Sequence, residues 1–149
     1  MNEIENIIEK YNVLNDNVGN KKYFHLNSIR NFIIQFDKFA SQTEKKTVID
    51  LMNKYFDFID EKYILDQDEA KKIFYECIQP IGLFYSKRLD FNLYTSPTTY
   101  LIFITFAFIT FLLLKLHLLF YFGTILILLA FYIPSYLKLK KNKVYGFNF

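Results

Sequence analysis

The sequence predicts an all-α protein in which a small helical bundle is followed by a two-helix transmembrane hairpin. Two long uncharged runs stand close together near the C-terminus, and the residues before them carry apolar side chains at helical spacing. No long stretch alternates apolar and polar residues as a half-buried strand does. We therefore expect a helical bundle over 1–95, the hairpin over 96–137, and a basic, aromatic tail over 138–149.

Two helices joined by a polar turn should open the bundle. The first helix should occupy residues 4–14 and end where the turn-rich segment 15–22 begins. The second should begin at Asn27 or Ser28, since either residue is a favourable N-cap. The inward residues of these two helices are predicted to be Ile4, Ile7, Ile8, Tyr11, Leu14, Ile29, Phe32, Ile33, Phe36, Phe39 and Ala40.

Two further helices are predicted from their N-terminal signals. Ser41 with Glu44, and Asp66 with Glu69, have the spacing of capping boxes, in which each side chain bonds the other residue's amide. Both pairs precede apolar residues at helical spacing. The inward residues are predicted to be Val48, Leu51, Met52, Tyr55, Phe56, Ile59 and Tyr63 in the third helix, and Ala70, Ile73, Phe74, Cys77 and Ile78 in the fourth.

The fourth helix should break near Pro80. Proline has no amide to donate and Gly82, two residues later, adds backbone freedom. Residues 81–90 are then expected to form a separate short helix. Because this segment leads directly to the hairpin, Pro80 and Gly82 are interpreted as parts of a rigid coupler between the bundle and the membrane.

The hairpin is predicted from two uncharged runs, at about 98–114 and 118–137, with Lys115 to His117 between them. The first run has seventeen residues, which reach about 26 Å as a helix, close to the hydrocarbon thickness of a bilayer. One unbroken helix would bury Lys115 at a cost of about 2.5–3.5 kcal/mol. Ser96 and Pro97 form a good N-cap and first turn for the first span.

Charge predicts the orientation of the hairpin. All fifteen acidic residues lie at or before Asp90, and with thirteen Lys and Arg they give this part of the chain a net charge of −2. The rest of the chain has five lysines and no acidic side chain. One of these, Lys115, lies in the turn between the spans, and four follow the second span. The positive-inside rule therefore favours cytoplasmic N- and C-termini in a plasma (inner) membrane, with lipid headgroups near Lys115, Lys138, Lys140, Lys141 and Lys143.

Few small residues are available for packing the two spans. Ala107, Gly123 and Ala130 are expected to meet where the helices cross, because small side chains let backbones approach closely. The spans contain no GxxxG pair.

The sequence contains no catalytic, cofactor-binding or metal-binding motif. His25 and His117 are expected at the surface or the membrane interface. Cys77, the single cysteine, lies on the apolar face of the fourth helix and is interpreted as a core residue. We expect no enzyme activity and no cofactor.

Two functions of different classes fit this architecture. The first is a membrane-anchored interaction protein, such as an adaptor, a sensor or an immunity-type factor, at the inner face of a bacterial plasma membrane. The alternative is an oligomeric effector whose hairpins form a pore or disrupt the bilayer, and an enzyme acting on lipid ranks third. The expected partners are the lipid bilayer and either a second protein or another copy of the chain; nucleic acid is not expected, since the basic pI comes from the tail.

Overall fold

The computed structural model describes residues 3–59, 65–114 and 118–146, except the side chains of residues 113, 114, 118 and 119. The described chain is mostly helical and forms two compact units. The first unit contains the residues up to Tyr94 together with those from Asn142 onward, and the second contains residues Thr95–Lys141. The first unit is therefore built from both ends of the chain.

Among the described residues, the first unit contains five α-helices and two short strands. They are α1 (Glu3–Asn17), α2 (Leu26–Gln35), α3 (Gln42–Phe58), α4 (Gln67–Ile73), α5 (Gln79–Leu89), β1 (Asn92–Leu93) and β2 (Val144–Tyr145). A 3-10 turn at Phe36–Lys38 follows α2, and a π-helical turn at Phe74–Ile78 joins α4 to α5. The second unit contains α6 (Pro97–Leu114) and α7 (Leu118–Lys140).

The predicted N-terminal signals are largely confirmed. Asp66 and Glu69 form a capping box at the start of α4, with the Asp66 carboxylate accepting the Glu69 amide at 2.8 Å. Ser41 caps α3 through its hydroxyl oxygen. The carboxylate of Glu44 has another role, because it forms an ion pair with Arg88 at 3.0 Å and so connects α3 to α5.

The start of α2 differs from the prediction. The helix begins at Leu26, and the residue before it, His25, adopts a left-handed conformation with φ 52°. Its amide bonds the Lys22 carbonyl at 3.0 Å, which closes a tight turn before the helix. Ser28 is consequently two residues inside α2 and is not its cap.

The expected break at Pro80 is not found. The chain stays helical from Gln67 to Leu89, and Pro80 is the second residue of α5. The π-helical turn Phe74–Ile78 directly precedes α5, so the hydrogen-bond register has already changed where the proline amide is missing. The short helix predicted over 81–90 is therefore found as α5, but it follows α4 through the π-helical turn without a break in the helical chain.

The core is aromatic and contains two buried tyrosines that donate to backbone carbonyls. The Tyr55 hydroxyl bonds the Phe24 carbonyl at 2.6 Å, and the Tyr85 hydroxyl bonds the Phe32 carbonyl at 2.8 Å. Burial raises the pKa of both phenols, so both remain protonated donors. Predicted core residues that are fully buried include Ile7, Ile29, Phe32, Val48, Met52, Ile73 and Ile78.

Two predicted core positions are not buried, and one is untested. Ile8 and Ala40 are exposed. Tyr63 lies outside the described residues.

The strands pair in parallel, and no strand pattern in the sequence predicts them. Asn92 faces Val144 and Leu93 faces Tyr145. Each strand has only two residues, too few for alternation to be recognised in the sequence. The fold remains predominantly helical.

The second unit contains one helix that is long and apolar enough to cross a membrane, the stretch Phe120–Lys140 of α7. The described apolar stretch of α6, Pro97–Leu112, is shorter than that criterion requires. Ser96 caps α6, as predicted, and its hydroxyl oxygen accepts the Thr99 amide at 3.3 Å. The predicted turn at Lys115 to His117 lies outside the described residues.

Aromatic side chains make the described contacts between α6 and α7. Tyr100 packs edge-on against Tyr132 at 5.1 Å between ring centroids, and Tyr121 packs against Phe108 and Phe111. These ring contacts are the packing interactions that the described side chains make between the two helices.

Gly123 has no close neighbour of the kind expected at a helix crossing, and the packing role of Ala107 and Ala130 stays a prediction. A Cβ added to Gly123 would have no atom within 4 Å, and Ala130 is exposed. Ala107 is half-buried and borders a groove of about 240 Å³ together with Phe111 and Tyr121.

The buried hydroxyl of Tyr85 provides a test of the helical core. Replacing Tyr85 with Phe removes one buried hydrogen bond and should lower the free energy of unfolding by about 1 kcal/mol. Tyr75→Phe is the matched control, because Tyr75 is 62% exposed and the change should have little effect. Denaturant unfolding of the purified protein in detergent measures both variants, and equal effects would contradict this account of the core.

Candidate functional site

The residues after α7 bind to the helical unit as an extended peptide. We call Lys143–Gly146 the C-terminal segment. The Asn92 amide donates to the Lys143 carbonyl at 3.0 Å, and the Tyr94 amide donates to the Tyr145 carbonyl at 2.7 Å. These bonds add the segment to residues 92–94 in the manner of β-strand addition, a common way for proteins to bind extended peptides.

A polar row on α2 contacts the backbone of the same segment. The Asn31 side-chain amide donates to the Val144 carbonyl at 2.9 Å, and the Gly146 amide donates to the Ser28 hydroxyl oxygen at 3.1 Å. Asn31 and Ser28 are both buried. The polar row thus pairs backbone groups of the C-terminal segment that would otherwise be buried without water.

His25 extends this row at the start of α2. Its ring Nε2 lies 2.8 Å from the Ala70 carbonyl oxygen, and the ring also lies near the backbone of Gly146. The residue is fully buried. His25 therefore bridges α4 and the C-terminal segment.

Two glycines make room for the segment. A Cβ at Gly82 would overlap the ring of Tyr145, so the ring lies directly on the α5 backbone. The centroid of the Tyr145 ring lies 6.0 Å from the centroid of the Phe32 ring. A Cβ at Gly146 would lie 3.2 Å from the Cβ of Tyr94 and 3.4 Å from its amide nitrogen. Any larger residue at either glycine would crowd the segment.

These residues together form a groove. We define the docking groove as Ser28 and Asn31 on α2, Gly82 on α5, and the strand edge 92–94. It holds a segment with an aromatic residue followed by glycine, because Gly82 receives the ring and Tyr94 leaves little room for a side chain at the next position.

Lys143 has a structural role in this arrangement. Its ammonium group donates to the Leu89 carbonyl at 2.8 Å, at the C-terminal end of α5. Carbonyls at a helix C-terminus have no partner inside the helix and favour positive charge. Lys143 therefore has a partner inside the helical unit, and its predicted contact with lipid headgroups stays a prediction.

The other predicted lysines have different positions. Lys138 and Lys140 lie in the last turn of α7, and Lys141 follows it. The Lys140 ammonium group lies 4.9 Å from the ring centre of Tyr136. Lys115 is outside the described residues.

Burial shifts the pKa values of His25 and Cys77, the two described side chains whose chemistry is most relevant to catalysis. It lowers the pKa of His25, an effect that the neighbouring backbone groups of Ala70 and Gly146 oppose. It raises the pKa of the Cys77 thiol. A protonated, buried thiol is a poor nucleophile, so the geometry of Cys77 fits a core residue.

The sequence prediction for His25 was wrong. We expected a surface residue, and the ring is fully buried between two structural elements. A signal was present in the sequence, because Ser28, Asn31 and Gln35 follow His25 at intervals of three or four residues and share one face of α2. All four are buried. A polar row beside an apolar row on one helix is the feature that would have located this site.

The described residues contain no group of three His, Cys, Asp or Glu side chains that could hold a metal ion. No family model matches the chain, and comparisons with curated proteins and with solved structures found no match. The candidate functional site is therefore defined by its geometry alone: a peptide groove that holds the chain's own C-terminal segment.

Replacing Gly82 with Ala tests the groove. The new methyl group overlaps the Tyr145 ring, and crowding of this kind typically costs about 1–3 kcal/mol. Alanine favours a helix by about 1 kcal/mol over glycine, so a net loss of stability would come from the ring contact. We also expect faster tryptic cleavage after Lys143.

Gly19→Ala is the control, since a Cβ there has no neighbour within 4 Å. The double variant Gly82→Ala, Tyr145→Ala should be no less stable than Tyr145→Ala alone, because the overlapping ring is gone. If Gly82→Ala still lowers the free energy of unfolding in a chain that carries Tyr145→Ala, the proposed contact between Gly82 and the ring is contradicted.

His25 should make stability depend on pH. Its folded pKa lies below the ordinary 6.5, so the unfolded state binds more protons as the pH falls. The stability that neutral His25 contributes is complete above 6.5 and is lost as the pH falls through the folded pKa. Thermal unfolding between about pH 7.5 and pH 5.5 measures this loss.

His25→Asn is the matched variant, because asparagine tolerates the left-handed conformation and does not titrate. It should be less stable than the wild type at pH 7.5 and nearly independent of pH over the same range. If the variant keeps the wild-type dependence of stability on pH, the effect comes from His117 or from carboxylates and not from His25.

Proposed function

We propose that this chain is a membrane-anchored interaction protein of the adaptor, sensor or immunity type. In this proposal α6 and α7 cross a bacterial plasma membrane as a hairpin, and the helical unit binds a protein at the cytoplasmic face. One observation carries the proposal: residues on both sides of the hairpin fold into a single unit.

The shared unit supports a double crossing. The C-terminal segment is hydrogen-bonded to residues 92–94, Asn31 and Ser28, so the chain must enter and leave the hairpin on the same side of a bilayer. If α7 crosses, the chain must cross a second time, and α6 is the segment that can do so. Its 18 residues reach about 27 Å as a helix, which is close to the hydrocarbon thickness.

The surface of the hairpin supports insertion into lipid. None of the apolar window of α7 is buried within the protein. Soluble proteins rarely expose apolar patches larger than a few hundred Å². The exposed large side chains of the hairpin include Leu101, Ile102, Phe103, Phe106, Phe120, Leu126, Ile127 and Phe131.

The polar side chains of the hairpin favour an anchor over a water-filled pore. The hydroxyls of Thr105, Thr110, Thr124 and Ser135 each donate to the carbonyl four residues earlier in the same helix, at 2.9–3.1 Å. Side chains satisfied in this way can face lipid. The pore-forming effector therefore has less support than the anchored interaction protein, and dye release from liposomes containing the purified protein tests it.

The topology can be tested by cysteine labelling in a Cys77→Ala background. We expect an impermeant thiol reagent to label Lys115→Cys in intact cells, because the turn should face outward. Lys21→Cys and Lys141→Cys, at exposed positions on either side of the hairpin, should be labelled only after lysis. This outcome would show two crossings with cytoplasmic ends.

Each alternative gives a different pattern. A single crossing by α7 would place Lys21→Cys and Lys141→Cys on opposite sides, and only one of them would be labelled in intact cells. A chain that alkaline carbonate removes from membranes would contradict membrane anchoring altogether.

A further inference from the structure

An open apolar groove lies between α6 and α7, and we call it the hairpin groove. Its volume is about 240 Å³, and its α6 side extends from Pro97 to Ile104, about 10 Å along the helix. Such a length covers about two-thirds of the hydrocarbon of one leaflet, which is about 15 Å thick. The remaining lining residues are Tyr100, Leu101, Leu128, Leu129 and Tyr132.

Two tyrosines form one end of this groove. The rings of Tyr100 and Tyr132 pack edge-on with their centroids 5.1 Å apart, and the Tyr100 hydroxyl donates to the Ser135 hydroxyl oxygen at 3.4 Å. Ile104 and Leu128 lie one helical turn further from this end. Because tyrosine favours the level of the headgroups, the tyrosine end is the mouth of the groove and its aliphatic end lies in the hydrocarbon.

A row of aromatic contacts leads from the mouth to a positive charge. The Tyr132 ring stacks on the Tyr136 ring with centroids 6.0 Å apart, and the Lys140 ammonium group lies 4.9 Å from the Tyr136 ring centre. The chain has no acidic side chain after Asp90, so the hairpin contains no carboxylate side chain that could neutralise Lys140. The chemistry at the mouth therefore suits an anionic group.

We propose that the hairpin groove binds one anionic phospholipid, with an acyl chain in the groove and the phosphate beside Lys140. This inference rests on the proposed function, because it needs α6 and α7 in a bilayer, and it names the lipid partner of the hairpin. In the proposed topology the mouth faces the cytoplasmic leaflet, where anionic headgroups attract lysine side chains.

The lining of the groove favours an acyl chain over a helix of a second copy. Helices that associate in membranes place glycine, alanine, serine or threonine at their contact, because small side chains let the backbones approach. The hairpin groove is lined by Leu, Ile, Pro and Tyr, and Leu101 and Leu129 are exposed beside it. A flexible acyl chain can follow such a surface and make the dispersion contacts that an empty groove would lose.

Lipid titration of the purified full-length protein in detergent tests the headgroup contact. Phosphatidylglycerol and phosphatidylcholine with the same oleoyl chains are added separately, and native mass spectrometry counts the bound lipids. We expect one phosphatidylglycerol to bind about fivefold more tightly than phosphatidylcholine, because one lysine close to an anionic lipid contributes about this factor. Lys140→Gln should remove the difference. Lys22→Gln is the control, since Lys22 is exposed in the helical unit and should not affect it.

A matched pair of substitutions tests the acyl-chain contact. Leu101 is 62% exposed and lines the groove, whereas its neighbour Ile102 is 63% exposed and does not line it. Leu101→Trp should lower the affinity for both lipids, because the indole occupies space that the acyl chain needs. Ile102→Trp adds the same side chain at an equally exposed position and should leave both affinities unchanged.

The lipid site is contradicted if the two lipids bind with equal affinity, or if Leu101→Trp and Ile102→Trp have the same effect. A dimer that Leu101→Trp dissociates would place a second copy in the groove and would also contradict it. Carbonate extraction of membranes separates the two proposals. A chain that stays in the membrane but shows no preference for phosphatidylglycerol keeps the anchoring function and excludes only the lipid site.

Discussion

The ring of Tyr145 lies on Gly82, and this contact connects the C-terminal segment to the centre of the helical unit. With the ring in place, the backbone of the segment reaches the Asn92 and Tyr94 amides and the polar row of α2. Lys143 is then positioned to bond the end of α5. Without the ring, these bonds would hold only a short strand, and two-residue pairings are not stable by themselves.

The segment changes how the hairpin is connected to the helical unit. From the sequence, residues 81–90 formed the only covalent route between them, and Pro80 was expected to shape it. With the C-terminal segment in its groove, the hairpin is joined to the unit at both ends, through residues 95–96 and through Asn142.

Buried polar residues make this docking specific. A polar group without a partner costs about 1–3 kcal/mol when it is buried, so Asn31 and Ser28 favour a backbone that offers groups at the right positions. An apolar α2 face would hold a segment in several registers, whereas hydrogen bonds to Val144 and Gly146 select one. His25 adds pH dependence to the same contact, because burial disfavours its charged form.

The sequence by itself determined the local features of this protein: the helices, the cap at Asp66 and Glu69, the start of α6 at Ser96 and Pro97, and the apolar runs. Each depends on residues within four positions or on one continuous composition, which a single sequence displays directly. Only the tertiary structure decided that His25 is buried, that Gly82 seats Tyr145, and that Val144 pairs with Asn92. The contacts of His25 with Ala70, of Asn92 with Val144 and of Gly82 with Tyr145 join residues 45, 52 and 63 positions apart, and neither helical nor strand periodicity carries information about a partner at that distance.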